Sequence, residues 1–308
     1  MANLDKIIKE ALSDIVALKI LYNEPMSRYT SLSAGGKADA LIIVENEEQL
    51  IEVIKRLRKE RIDLLPVGNL TNIIVRDGGY RGAILLMKGF NAIDYSNTPE
   101  GAHYIYAQAG AALASVVNRS LAEELTGLEF CAGIPGSVGG AIRMNAGAYG
   151  KEMKDVIDSV FLFDAEDGKK ELPRQHIAFG YRNSGLPPEA IILAANFSLQ
   201  KGQCEQIKKA IQEIVQWRKE KHPLEYPNAG SVFKNMPGQP AGKLIEELGM
   251  KGMNCGDAQV SLKHANFIVN KGKATASDIL KLIALIQTRV KKEKGISLEP
   301  EVVIIGED

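Results

Sequence analysis

Hydrophobic residues at helical spacing predict most of the helices in this chain. Such a pattern is typical of helices with one buried face. The predicted helices cover residues 4–21, 47–59, 111–124, 204–219, 243–248 and 277–292. The helix over 204–219 is expected to bury Ile207 and Val215. Ser277 is the expected N-cap of the last helix, and Gly295 is expected to end it.

Short apolar runs between these helices predict strands. They cover residues 40–44, 73–75, 83–87, 104–108, 160–164, 191–199, 267–269 and 301–305. Residues 1–80 have the order of a small α+β unit. Residues 81–202 are expected to form a second lobe around an antiparallel sheet, with a turn at Asp167-Gly168. Residues 203–308 then form a third lobe, so the predicted fold class is α+β.

Residues 127–150 depart from these patterns because seven of them are glycine. A glycine in a helix interior costs about 1 kcal/mol relative to alanine, so this composition disfavours a helix. It suits a backbone that turns with positive φ and presents free N–H groups to a phosphate. A simple cluster of tight turns needs fewer glycines. Since G-x-G-x-x-G is absent from this stretch, it indicates a dinucleotide held outside that fingerprint, or no cofactor at all.

Composition and charge exclude several classes of protein. The chain has 308 residues, of which 45% are hydrophobic and 25% charged, as in ordinary globular proteins. Lys+Arg and Asp+Glu number 38 each, so we expect no nucleic-acid partner. Charges recur throughout residues 1–20 and no apolar run is long enough to span a membrane, so we expect no membrane insertion. The cysteines form no Cys-x-x-Cys pair, which predicts no metal site and a cytoplasmic location.

Three polar segments carry side chains suited to catalysis. Arg182 lies between an aromatic residue and polar residues, and arginine is the natural partner of a carboxylate, although a solvated loop has the same composition. The turn at residues 228–231 is expected to expose the hydroxyl of Ser231 as a nucleophile, a proton donor or an ordinary turn residue. No G-x-S-x-G motif is present, which disfavours a hydrolase triad. Glu301 opens the last apolar strand, either at an exposed end or facing a cleft.

Together with the glycine-rich stretch, these segments resemble the UDP-N-acetylenolpyruvoylglucosamine reductases over nearly the whole chain. Each is weak alone, but their number and order make the resemblance specific. The matching motifs are Gly68-Asn69-Leu70-Thr71-Asn72, Gly133-Ile134-Pro135-Gly136-Ser137-Val138-Gly139-Gly140, Asn145-Ala146-Gly147-Ala148-Tyr149-Gly150, Tyr181-Arg182-x-Ser184, Asn228-Ala229-Gly230-Ser231-x-Phe233-Lys234-Asn235, His264-Ala265-Asn266-Phe267 and Glu301.

The resemblance implies a two-lobe FAD-binding module of the vanillyl-alcohol-oxidase (PCMH) type and a third lobe that binds substrate. It implies non-covalent FAD, NADPH as co-substrate and a nucleotide-sugar substrate, and it leaves the oligomeric state open. The implied reaction reduces UDP-N-acetylenolpyruvoylglucosamine to UDP-N-acetylmuramate in peptidoglycan precursor synthesis. The implied FAD-binding residues are Gly68, Asn69, Thr71, Asn72, Gly133, Ile134, Gly136, Ser137, Gly139, Gly140, Asn145 and Gly147.

The resemblance also implies roles for the polar segments. Ser231 is the implied proton donor, and Arg182 and Glu301 flank the enolpyruvyl group. The implied substrate-binding residues are Lys221, Asn235 and Tyr181. Hydride transfer from the flavin N5 leaves negative charge on the adjacent carbon, which Arg182 can stabilise and a hydroxyl can protonate. The chain between Arg182 and residue 191 is short, so it resembles the form of the family that lacks an extra tyrosine-bearing loop.

One motif departs from the family pattern. The family turn usually reads Gly-x-Gly-Ser-Asn, and here Leu70 and Thr71 replace the second glycine and the serine. Leucine at a position with positive φ would be strained, or the turn would have to differ.

Two other functions compete with the reductase. A sugar or alcohol oxidase on the same module would often attach FAD through His or Cys, for which Cys131 is the candidate, while Arg182 and Ser231 disfavour a non-catalytic binding protein.

Overall fold

The computed structural model describes residues 4–164 and 168–308, and the first lobe is built on a four-stranded mixed sheet. Its elements are α1 (Leu4–Leu12), β1 (Lys19–Pro25), β2 (Lys37–Ile43), α2 (Glu47–Lys59), β3 (Leu64–Val67), β4 (Ile73–Val75) and β5 (Tyr80–Leu86). The strand order is β1-β2-β5-β3, with β1 antiparallel to β2 and the other pairs parallel. The sequence pattern had placed the strand β5 in the second lobe, but its pairing with β2 and β3 puts it in this sheet.

The second lobe is built on an antiparallel sheet, as predicted. Its elements are β6 (Ile93–Asn97), β7 (His103–Gln108), α3 (Leu113–Ala122), β8 (Leu125–Thr126), α4 (Val138–Arg143), β9 (Gly147–Ala148), β10 (Lys151–Glu152), β11 (Ile157–Asp164), β12 (Gly168–Pro173) and β13 (Ile191–Lys201). The main strand order is β12-β11-β13-β7-β6. Asp167 of the predicted turn lies outside the described residues. The sheet and the helix α3 enclose a core that includes the fully buried Phe197.

The third lobe carries a small antiparallel sheet and one long buried helix. After the helix α5 (Cys204–Lys221), the elements of this lobe are α6 (Ala241–Glu247), β14 (Asn254–Cys255), β15 (Ala258–Val260), β16 (Ile268–Asn270), α7 (Ala276–Lys294) and β17 (Val303–Ile305). The sheet order is β14-β15-β16. The strand β17 leaves this lobe and pairs in parallel with β4, at Val303 opposite Ile73. The first and third lobes are therefore joined by a shared strand pair.

The helix predicted over residues 4–21 is wrong in its second half. The helix α1 ends at Leu12, and the chain enters the strand β1 at Lys19. Lys19 pairs with Ile43 of β2, so a strand partner distant in sequence overrides the helical spacing of the apolar residues. The local pattern contained no information about that partner.

The helix α5 packs on the second lobe, although the sequence assigned it to the third. Ile207 is 3% exposed, and Ile211 and Ile214 pack against the second-lobe core. The prediction that Val215 faces inward is wrong, because this side chain is 44% exposed.

The N-terminus of α7 differs from the prediction in a way that links two lobes. Thr275, not Ser277, is the N-cap, and its hydroxyl accepts from the N–H of Asp278 at 3.1 Å. Ser277 instead donates its backbone N–H to the carboxylate of Asp77 in the first lobe at 2.7 Å. A carboxylate at a helix N-terminus is favourable, so this contact stabilises the junction of the two lobes. Gly295 ends the helix in the left-handed conformation, as predicted.

Within the described parts of the chain, no helix has the length and apolarity needed to cross a membrane.

Candidate active site

A cavity of about 560 Å³ lies where the three lobes meet. The first lobe contributes residues 65–73, and the second contributes residues from Ile134 to Gly147 together with Arg182. The third lobe contributes Ser231 and Glu301. The volume is typical of a site that encloses a small molecule or part of a cofactor.

The turn after β3 forms one wall of the cavity. Leu70 has φ 47°, which fits the expectation of strain at this position. Its side chain is 3% exposed in the first-lobe core, and this burial holds the left-handed backbone in place. The hydroxyl of Thr71 donates to the carbonyl of Pro135 at 3.3 Å, which joins this turn to the glycine-rich stretch. Among the described residues, the backbone N–H groups of 69–72 have no protein acceptor.

The glycine-rich stretch contains a short helix, contrary to the prediction. The helix α4 begins after Ser137, whose hydroxyl accepts from the N–H of Gly140 at 3.4 Å. A Cβ at Gly139 would lie 2.9 Å from the Cβ of Ala109, so this glycine permits close packing of helix on strand. A side chain at Gly139 would therefore disturb this packing, whether or not Gly139 also contacts a cofactor.

Gly68 and Gly136 are the glycines that keep this wall open. A Cβ at Gly68 would lie 1.9 Å from the hydroxyl oxygen of Ser137, and Gly136 has φ 135°. The two loops can meet only because both positions lack a side chain. The free N–H groups of residues 69–72 and the close approach of the two loops fit a dinucleotide diphosphate, and the apolar wall beside them fits a flat ring. The residues present therefore fit FAD.

We expect Gly68→Ala to give soluble protein with little or no bound FAD. The new methyl group displaces Ser137 and separates the two loops of the cavity wall. FAD content after purification, measured by absorbance at equal protein concentration, tests this. Gly180→Ala is the control, since a Cβ there has no neighbour within 4 Å. Normal FAD content in Gly68→Ala would contradict the assignment of this wall.

Two predicted FAD-binding residues lie outside the cavity wall. The buried side-chain amide of Asn145 donates to Glu152 at 3.0 Å and to the carbonyl of Gly180 at 2.9 Å. Its oxygen accepts from the N–H of Lys154 at 3.0 Å, so its polar atoms are used within the protein. Gly133 lies against the side chain of Arg218. The other predicted FAD-binding residues border the cavity.

Arg182 and Glu301 form an ion pair in the cavity wall. Nε of Arg182 donates to Oε1 of Glu301 at 2.8 Å, and a terminal nitrogen donates to the carbonyl of Gly147 at 3.1 Å. The guanidinium carbon lies 4.9 Å from the ring centre of Tyr181. Arg182 has φ 55°, an unfavourable backbone conformation that persists where surrounding contacts hold it. These contacts fix the direction of the guanidinium.

Glu301 is held on both sides by backbone contacts. Its N–H donates to the carbonyl of Val232 at 2.7 Å. The side-chain amide of Asn72 donates to the carbonyl of Glu301 at 3.0 Å, and the carbonyl of Asn72 accepts from the N–H of Val303. Burial raises the pKa of Glu301, and the positive charge of Arg182 opposes that rise.

Ser231 is placed by a turn and a buried asparagine. Gly230 has φ 76°, and its N–H donates to the side-chain oxygen of Asn228 at 3.1 Å. Asn266 is 2% exposed, and its side chain both accepts from and donates to the backbone of Phe233, at 3.0 and 2.8 Å. The hydroxyl of Ser231 has no hydrogen-bond partner among the described residues, so it is free to bond a ligand in the cavity.

The three predicted substrate-binding residues lie outside the cavity wall. Lys221 is exposed at the end of α5. Asn235 is exposed, and its side-chain oxygen accepts from the N–H of Ala241 at the start of α6. The hydroxyl of Tyr181 accepts from the N–H of Asn235 at 3.2 Å. Tyr181 and Asn235 therefore form one surface group next to Arg182.

Arg218 and His222 are among the cavity residues that the sequence analysis missed. Both come from the end of α5, one helical turn apart, and the N–H of His222 donates to the carbonyl of Arg218 at 2.8 Å. Burial, and then the charges of Arg218 and His264, lower the pKa of His222 to about 4. The sequence shows that the two residues are four positions apart and that Pro223 follows them. This spacing is equally compatible with a cavity wall and with a solvated helix end.

We expect the protein to lose stability as the pH falls from about 6.5 toward 4. The unfolded chain binds a proton at His222 in this range and the folded chain does not, so folding becomes less favourable as the pH falls. A pKa lowered from 6.5 to about 4 corresponds to at most about 3 kcal/mol. Urea unfolding of the wild type and His222→Gln at pH 7 and pH 5 measures the effect. An equal loss in both proteins would assign it to other groups, such as His264, whose pKa is also lowered by burial.

The cavity wall that fits FAD defines a flavoprotein, and family models agree. Residues 38–170 match the FAD binding domain, and residues 222–305 match the C-terminal domain of UDP-N-acetylenolpyruvoylglucosamine reductase. The chain belongs to the family of UDP-N-acetylenolpyruvoylglucosamine reductases. It is therefore an oxidoreductase with an FAD-binding domain.

Individual relatives share nearly the full length of the chain. The enzyme of that name from Syntrophus aciditrophicus is 49% identical over 99% of this chain and 97% of its own length. The one from Clostridioides difficile is 44% identical over 94% of each chain. The crystal structure of UDP-N-acetylenolpyruvylglucosamine reductase from Thermus caldophilus is 34% identical, with a TM-score of 0.79 over 94% of this chain and 99% of that one. These findings confirm the predicted family and the predicted α+β fold with an FAD-binding domain.

Proposed function

We propose that this protein reduces UDP-N-acetylenolpyruvoylglucosamine to UDP-N-acetylmuramate, with FAD as the hydride carrier and NADPH as the hydride source. Bound FAD supplies hydride transfer to the enolpyruvyl carbon. The observation that carries the proposal is the convergence of Ser231, Arg182 and Glu301 on one cavity that also fits FAD. Family membership supports the same substrate class.

Arg182 is the group that binds and stabilises negative charge. Addition of hydride to the terminal carbon of the enolpyruvyl group leaves an enolate whose charge spreads into the carboxylate. The guanidinium of Arg182 is held by Glu301 and by the carbonyl of Gly147, so it is already oriented when this charge forms. Fixed donors aimed at developing charge are among the strongest contributions to catalysis.

Ser231 supplies the proton that completes the reaction. Its hydroxyl faces the cavity without a protein partner, and the contacts of Asn266 fix the backbone that carries it. A hydroxyl is a weak acid, but an enolate carbon is a strong base, so proton transfer to carbon is favourable. In this proposal Glu301 orients Arg182 and lies beside the carboxylate of the enolpyruvyl group.

An oxidase that attaches its flavin through Cys131 is the alternative function. Cys131 is fully buried in the second-lobe core, 3.8 Å from the sulfur of Met153, and burial raises the pKa of its thiol. A buried thiol of this kind is a poor nucleophile, since the thiolate is the reactive form. These contacts favour non-covalent FAD.

Acid precipitation followed by anaerobic reduction tests the proposed function. We expect the yellow colour to be released into the supernatant, NADPH to bleach the native protein without oxygen, and the enolpyruvyl sugar to restore the colour. Mass spectrometry should then show a product two hydrogens heavier than the substrate. Reoxidation by oxygen but not by the enolpyruvyl sugar would contradict the reductase function.

A further inference from the structure

Arg218 is a charged residue in the cavity wall that the proposed reaction does not use. Its Nε is buried, and the guanidinium has no hydrogen bond or ion pair with any described residue. Burial lowers its pKa, and the neighbour that favours its charged form is Tyr149, which is uncharged at pH 7. No described carboxylate therefore offsets the charge of this guanidinium.

The other half-buried arginines differ from Arg218. Within residues 4–164 and 168–308, each of them has a carboxylate or carbonyl partner. These arginines are Arg56, Arg76, Arg119, Arg143, Arg174 and Arg182. Burying a charge without a partner costs several kcal/mol, so such a group is retained where a ligand supplies the missing charge.

Local packing fixes Arg218 at the cavity rather than leaving it to turn into solvent. A Cβ on Gly133 would lie 3.0 Å from Cδ and 3.1 Å from Nε of Arg218, so the absence of a side chain at Gly133 makes room for the arginine. Arg218 and His222 line the same cavity wall, and the charge of Arg218 contributes to the lowered pKa of His222. Gly133 therefore makes room for the side chain of Arg218, a role that does not need direct contact with FAD.

We propose that Arg218 binds a phosphate group of a nucleotide ligand in this cavity. The proposal rests on the proposed function, because both FAD and the nucleotide sugar carry a diphosphate. The fork of the guanidinium suits two phosphate oxygens. Two ligands therefore have the required chemistry, and separate binding measurements distinguish them.

Arg218→Met and Arg218→Lys test this with two binding measurements. In the first, apoprotein is titrated with FAD and the quenching of flavin fluorescence gives the Kd. In the second, the FAD-loaded protein is titrated with UDP by calorimetry. We expect Arg218→Met to weaken one of these ligands about 10- to 100-fold and Arg218→Lys to recover part of that loss, since a charge-assisted bond is removed and then partly restored.

Lys219→Met is the matched control, because Lys219 is the exposed neighbour on the same helix. A loss of FAD affinity assigns Arg218 to the cofactor diphosphate, and a loss of UDP affinity assigns it to the substrate diphosphate. Wild-type affinity for both ligands in Arg218→Met would overturn the proposal, as would equal losses in the Met and Lys variants. A wild-type protein that binds neither FAD nor UDP would instead contradict the proposed function.

Discussion

Ser231→Ala is expected to abolish reduction of the enolpyruvyl group while leaving flavin reduction by NADPH near the wild-type rate. The hydroxyl is needed only where a proton is added to carbon, which happens in the second half of the reaction. Loss of general-acid catalysis corresponds to about 10²-fold or more. The backbone contacts of Asn266 do not involve the side chain of Ser231, so the variant should fold normally and keep its colour.

Stopped-flow absorbance of the flavin follows both halves of this experiment. In the first half, NADPH reduces the flavin of the variant and its colour is bleached. In the second half, the enolpyruvyl sugar is added and reoxidation of the flavin is measured. Ser231→Cys serves as the matched control and should keep partial activity, because a thiol can also donate a proton. Fast reoxidation in Ser231→Ala would show that water or another residue is the acid.

Arg182→Lys is expected to lower kcat strongly and to change KM less. Lysine keeps the positive charge but lacks the planar fork with which Arg182 bonds Glu301 and the carbonyl of Gly147 at 2.8 and 3.1 Å. The free ammonium is then no longer held toward the developing enolate. Losses of single oriented donors in other enzymes are about 3–4 kcal/mol, and we expect a similar loss of transition-state stabilisation here.

Steady-state kinetics of Arg182→Lys and Glu301→Gln separate charge from orientation. The glutamine keeps a hydrogen-bond acceptor for Arg182 without the negative charge, so Glu301→Gln should lose less activity than Arg182→Lys. A raised KM with unchanged kcat in Arg182→Lys would mean that the arginine only binds the ground-state carboxylate.

Much of the fold could be predicted from the sequence because local patterns and tertiary contacts agree over most elements. The helix α2 has the predicted bounds and the second sheet is antiparallel as predicted. The failures have a common cause. The strands β1 and β5 depend on partners distant in sequence, and the helix α4 depends on close packing of Gly139 against Ala109. Periodicity records which face of an element is apolar, and it does not record which element will cover it.

The residues proposed as catalytic could be predicted for a different reason. Ser231, Arg182 and Glu301 lie in short motifs whose order matches the family, and the structure places all three at the same cavity. Arg218 and His222 lie on a helix whose exposed face has an ordinary charged composition. What distinguishes them is an absent counter-charge and buried atoms without partners, and these are properties of the folded chain.

The position of Asn72 has a thermodynamic consequence. This residue belongs to the turn that borders the cavity. Its side-chain amide donates to the carbonyl of Glu301, and its own carbonyl accepts from the N–H of Val303. A ligand that orders the turn must therefore also order the segment that carries Glu301, so the two events share one coupling free energy. By reciprocity, a ligand that immobilises Glu301 should raise the affinity of the turn for its own ligand by the same factor. If the turn binds the flavin and Glu301 lies at the substrate carboxylate, as proposed, then the two affinities should be linked through Asn72.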